Sequence, residues 1–231
     1  MPPSYMAYDR AIVVFSPDGR ILQVEYARQM VKNGSTALGV LYKDGVVLGT
    51  VRNMVPLAVT PSYKKLYEID NHIAAVSSGS LADARELIGI VRVKAQIHQV
   101  TYNEPITTRS VVTAMSDRMH LVTQYAGVRP YGIGMLVGGV DEDGPALFET
   151  EPSGTMIEWK AQAIGRGAEK ASKVLEKDYK DGMDEKQALA LLLKALKAGE
   201  KDVTKDSTDV LIITKKKTRK IAAPEELAKL L

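Results

Sequence analysis

The 231-residue chain contains no cysteine. That absence excludes disulfide scaffolds, thiolate zinc sites, iron–sulfur clusters and cysteine nucleophiles together, and it fits a reducing interior better than a secreted setting. Large aromatics are scarce, with one Trp and two Phe, so little is available for stacking nucleic-acid bases. The three histidines, His72, His98 and His120, do not stand at metal-ligand spacing, and there is no His-Glu-x-x-His run or EF-hand loop. No metal and no cofactor are expected. Basic and acidic side chains nearly balance, 31 against 28 for a net charge of +3, too little by itself for a nucleic-acid or anionic-membrane footprint. Apolar runs such as AIVVF at 11–15 fall far short of a membrane span, and the first ten residues lack the basic-then-apolar order of an export signal. These absences predict a cytoplasmic protein, neither exported nor membrane-embedded.

What is present, 45% hydrophobic and 26% charged residues, describes a globular chain able to bury roughly 70–75% of its unfolded surface. One domain over 1–231 is expected. Ser16-Pro17-Asp18-Gly19 and Asn33-Gly34 bracket a helix over 20–32. Its Leu22, Val24, Tyr26, Ala27, Met30 and Val31 cover most of the circumference, leaving a narrow polar sector of Glu25, Arg28, Gln29 and Lys32. Such a helix is buried on two sides, either crossing its own core, which periodicity alone favours, or wedged between subunits.

Downstream, Asp44-Gly45 joins two strands over 35–42 and 46–51. A third strand over 73–78 precedes Ser80, which with Asp83 makes a capping-box pattern. The helix that follows carries the stripe Ala84, Ile88, Val91 and Ala95, and a second helix over 107–125 carries Val111, Met115, Met119 and Val122. Strands over 133–140, 145–150 and 156–163 then form a meander. Two further helices, one lined by Ala168, Ala171, Leu175 and Tyr179 and the other capped by Asp184, lead to a last hairpin over 208–222 and a short helix opened by Pro224. Strands in antiparallel groups and helices in pairs cannot make a doubly wound parallel sheet. The order predicts an α+β fold of two stacked sheets, each covered by a helix pair.

Taken alone, these residues name no enzyme. Gly165-Arg166-Gly167 opens a helix but lacks the lysine-serine ending of a phosphate loop, and reads as a plain turn. The basic run Lys215, Lys216, Lys217, Arg219 and Lys220 reads as protection of a sheet edge rather than a nucleic-acid contact. Glu142 and Asp143 read as a solvated turn.

The strings YDRAIVVFSPDGRILQVEYARQMVKNGSTALGV, Tyr8 to Val40, and QYAGVRPYG, Gln124 to Gly132, strongly resemble α subunits of the proteasome core particle, most closely the archaeal type. KKLYEID from Lys64, SSGSLADAR from Ser77 and IGRGAEKA from Ile164 extend the resemblance over nearly the whole chain. It implies the four-layer αββα sandwich of N-terminal nucleophile hydrolases. It also implies a seven-membered ring of identical α subunits capping paired seven-membered rings of β subunits, which carry the peptidase sites and digest unfolded protein substrates. The helix at 20–32 then takes the subunit-contact reading, because a closed ring sets different surfaces of one copy against each other.

The resemblance further implies no catalytic residue here. In the catalytic sister subunits an N-terminal threonine supplies hydroxyl and activating amine; Ser35 and Thr36 fall at that place but keep a peptide bond, and Val51 stands where the supporting carboxylate would be. Tyr8, Asp9, Pro17 and Tyr26 match the cluster that holds the N-terminal tails upright when the pore opens, with a flexible gate tail over 1–12. Tyr125, Ala126, Gly127 and Val128 match the pore loop, Ala126 replacing the usual glycine. Lys65, with Gly34 and Gly79, matches the pocket that receives the C-termini of an AAA ATPase regulatory complex or another activator, a lysine read as lying on the surface. The alternative is a self-standing amidohydrolase of the same fold.

Overall fold

The computed structural model describes residues 13–52, 57, 64–215 and 218–221. The tail over 1–12, with Tyr8 and Asp9, lies outside the described residues, as do Lys216, Lys217 and the helix expected from Pro224.

Helix α1 (Leu22–Asn33) leads into strands β1 (Ala37–Tyr42) and β2 (Gly45–Val51), followed by β3 (Leu66–Asp70) and β4 (Ile73–Gly79). A helix pair, α2 (Leu81–Tyr102) and α3 (Thr108–Val122), precedes β5 (Ile133–Asp141), β6 (Gly144–Thr150), β7 (Met156–Glu158) and β8 (Ala161–Ile164). The second pair, α4 (Ala168–Asp178) and α5 (Glu185–Gly199), is followed by β9 (Thr208–Thr214) and β10 (Thr218–Ile221). One five-stranded sheet runs β10-β9-β2-β1-β8 and the other β3-β4-β5-β6-β7. Every pairing is antiparallel.

Strand periodicity creates the layers. Side chains alternate faces along a strand, so Val46 and Leu48 of β2, Ala74 and Val76 of β4 and Leu211 and Ile213 of β9 enter one core between the sheets. Their neighbours Val47, Val210 and Ile212 face α4 and α5 with Leu192 and Leu196. Ile73 and Ala75 face α2 and α3 with Leu87, Val111 and Met115. Inner strands are therefore apolar on both faces. The sheets approach closely: a Cβ at Gly138 would stand 2.8 Å from Val46 Cγ1. Emptying this interlayer, as in Leu136→Ala, costs about 2–5 kcal/mol.

Helix ends follow their sequence signals. Asp184 and Gln187 form a reciprocal capping box on α5, and Thr107 caps α3 through the Ser110 N–H at 3.2 Å. At α2 the expected box is only half made. The Ser80 hydroxyl accepts the Asp83 N–H, but the Asp83 carboxylate turns away to Arg129 and Gly132.

Three other expectations are corrected. The single strand over 156–163 is two, because the chain leaves one sheet for the other between β7 and β8. Trp159 N–H donates to Leu147 O, while Lys160 O accepts from Leu41 N–H in the opposite sheet. Leu66–Asp70 is an additional strand, at the sheet edge. Finally, α1 does not cross the core of its own chain: Leu22, Val24 and Ala27 are buried, whereas Tyr26 and Met30 are exposed.

Candidate functional site

The turn between α1 and β1 gathers several internal polar contacts. Gly34 must lack a side chain, since a Cβ there would collide with Ser78 Oγ and lie 2.6 Å from Gly79 N. Its carbonyl accepts the Arg166 N–H at 2.8 Å. Gly79 has φ +113 and its Cβ would strike Gly132 O, so glycine is required by backbone conformation and by space.

Ser35 donates its hydroxyl to Val51 O at 2.8 Å. Lys65 donates its ammonium to Ser35 O at 3.2 Å and to Ser35 Oγ. With 8% exposure, Lys65 is not a surface residue, which corrects the sequence reading. Burial pushes its pKa down to about 8, helped by Arg166 and opposed by the Glu200 carboxylate. Gly34, Lys65 and Gly79 are thus brought together around one turn.

Thr36 is held from two sides. Its N–H and hydroxyl both donate to Glu200 Oε1 at 2.8 Å, and its hydroxyl oxygen accepts the Gly167 N–H at 3.0 Å. Arg166 grips the same carboxylate, Nη2 to Oε2 at 2.7 Å and Nε to both oxygens at 3.0 Å. Burial alone would raise the Glu200 pKa, but the Arg166 and Thr36 donors outweigh it and hold the carboxyl below its usual range. Arg166, Glu200 and Ser78 escape sequence reasoning. The signal for Arg166 is its place between two glycines, read there as a plain turn; Glu200 is marked only by following Gly199.

Helix α1 is fastened by Arg28, whose Nη2 donates to Glu151 at 2.8 Å and Nη1 to Glu25 at 2.8 Å. Pro17 lies exposed in the turn before α1, and Tyr26 on its outer face. The loop Tyr125–Val128 lies beyond α3, all four residues exposed. Among the described residues no helix is long and apolar enough to cross a membrane, and no group of three His, Asp or Glu could hold a metal ion.

Fold and site define an αββα sandwich whose first inner strand starts behind a helix rather than at a chain terminus. The chain belongs to the proteasome subunit family, whose profile, described as Proteasome subunit, matches residues 31–213. Residues 8–29 match the N-terminal signature of the family's A-type subunits. Similar proteins, named as proteasome alpha subunits, come from Thermococcus sibiricus, 47% identical over 231 residues (99% of this chain, 88% of that protein), and Methanopyrus kandleri, 45% over 221 residues (95% and 90%). A third, from Methanocaldococcus jannaschii, is 45% identical over 233 residues (100% and 88%).

Proposed function

We propose that this chain is a non-catalytic subunit of the outer ring of a cytoplasmic proteasome core particle. Seven copies close a ring on the β-subunit rings, residues 1–12 obstruct its pore, and Tyr8, Asp9, Pro17 and Tyr26 hold the tails upright when the pore opens. Activator C-termini, those of an AAA ATPase regulatory complex included, enter at Gly34, Lys65 and Gly79, and unfolded polypeptide passes Tyr125–Val128 to the β subunits.

One observation carries the non-catalytic reading: the Thr36 N–H is an amide donating to Glu200, so no free amine stands there to activate a hydroxyl. Assembly is supported by apolar side chains that the folded chain leaves exposed, Met30 on α1 and Ile90, Val93, Ile97 and Val100 on α2. The last four recur at the 3-4-3 spacing of a helix-pairing seam.

The amidohydrolase alternative draws on the Lys65 ammonium lying against the Ser35 hydroxyl, but that hydroxyl is already donated to Val51 O. Deleting 1–12 in a reconstituted α/β particle tests the gate. Small-peptide hydrolysis should speed up with unchanged cleavage-site preference, while the isolated chain stays inactive and keeps its unprocessed mass. Unchanged rates in a confirmed deletion would remove the gate, and peptidase activity of the isolated chain would favour the amidohydrolase.

A further inference from the structure

The loop Tyr125–Val128 is anchored very differently at its two ends. On the α3 side the roots are local: Thr123 N–H donates to His120 O at 3.0 Å and Gln124 N–H to Leu121 O at 3.1 Å. On the other side the chain is tied to a distant helix. Arg129 sets its guanidinium fork on the buried Asp83 carboxylate at the start of α2, Nη2 to Oδ1 at 2.7 Å and Nη1 to Oδ2 at 2.8 Å. The Gly132 N–H donates to Asp83 Oδ2 at 2.8 Å, and Gly132 O accepts the Ser80 N–H at 2.9 Å. Tyr131 adds a hydroxyl bond to Glu86 at 2.7 Å and receives Arg118 Nε at 3.2 Å. Between these roots Tyr125–Val128 are exposed, and Gly127 takes φ +89.

We propose that Arg129 and Asp83 are positioning residues: their bidentate pair fixes where the loop Tyr125–Val128 stands relative to the start of α2. Gly132 and Asp83 hold the loop's root to the same turn that brings Gly79 against Gly34, so the root is stationary with respect to that pocket. Two parallel bonds to a planar carboxylate constrain direction as well as distance, which a lysine in place of Arg129 could not do. The Arg129 side chain is 63% exposed and that of Asp83 only 7%. Replacing Arg129 therefore frees the loop with little effect on the core, whereas replacing Asp83 also strips Gly132 of its acceptor. Use of the loop as a pore wall rests on the function proposed above; its positioning does not.

A chain without cysteine accepts a single probe. A nitroxide label on Ala126→Cys, with Lys186→Cys on α5 as the reference position, reads local motion by electron paramagnetic resonance in the full chain and in the assembled particle. Arg129→Gln should raise label mobility at 126 severalfold in rate and leave 186 unchanged, with Arg129→Lys in between. Equal mobility at 126 in all three would overturn the proposal, and so would equal loosening at 186, which marks a global loss of structure. In a particle lacking 1–12, Arg129→Gln should also alter hydrolysis of unfolded casein relative to a small peptide by about threefold or more. A loosened label with an unaltered ratio supports the clamp and overturns the pore-loop reading.

Discussion

Glu200 Oε1 lies 2.8 Å from both the backbone nitrogen and the hydroxyl oxygen of Thr36. One carboxylate oxygen at the end of α5 thus engages the start of β1 through two groups, while Arg166 saturates the rest of the carboxylate. An enzyme that used a hydroxyl here would have to release it from Glu200.

Removing that acceptor should be felt as lost stability. Glu200→Ala leaves the buried Thr36 N–H without its partner, at a cost of about 1–3 kcal/mol, or about 2–4 °C in Tm per kcal/mol for a chain of this size. Glu200→Gln keeps an acceptor and should cost less. Because the folded pKa of Glu200 lies below its usual 4.5, its contribution is complete above about pH 4.5 and is lost as pH falls through the lower folded value. Melting curves against pH should show the wild-type advantage over Glu200→Gln closing in acid. A gap independent of pH would contradict this.

Lys65 should show the opposite limb. Between its folded pKa of about 8 and its ordinary 10.5 the unfolded chain binds more protons, so stability rises with pH across that window. Lys65→Met, which keeps an unbranched apolar stem, should lack this rise. In the assembled particle it should cut stimulation by C-terminal-docking activators about tenfold or more, by removing the charged partner of their carboxylate. The same particle with 1–12 deleted should stay fast. Full stimulation would move the pocket elsewhere.

The seam on α2 yields a separate expectation. Ile97→Glu with Val100→Glu changes exposed positions only, at 60% and 85% exposure, and should leave the Tm of the isolated chain nearly unchanged. Buried in an assembly, the same carboxylates are costly. Native mass spectrometry should therefore find folded subunits that no longer enter the particle. Particles forming at wild-type yield would show the seam to be idle.

Layer order is legible in the sequence because Asp44-Gly45 fixes a turn and because Val46–Leu48 and Val210–Ile213 are apolar at consecutive positions, as only strands covered on both faces need be. The break between β7 and β8 is not legible. Met156–Ala163 has continuous strand character, and what divides it is the position of two sheets, a tertiary fact. Lys65 sits beside Lys64 and invites a solvent reading, whereas its burial is decided by Ser35, thirty positions away. Asp83 satisfies a local capping pattern, yet its carboxylate goes to Arg129, 46 positions downstream. Local periodicity finds the elements, and long-range polar partners decide the site.

The passage of the chain from β7 to β8 within two residues bears on the order of folding. Strand β1 finds β2 across a turn of a few residues, but its other edge waits for β8, which pairs Ala37 with Ile164 and Val40 with Ala161. Loop closure over that separation is slow and is rewarded only once the second sheet has brought β7 into place. During synthesis, the open edge of β1 is therefore the surface most exposed to mispairing with a neighbouring nascent chain. In pulsed hydrogen exchange, amide protection on the β8 side of β1 should be acquired after that of β4 and β5.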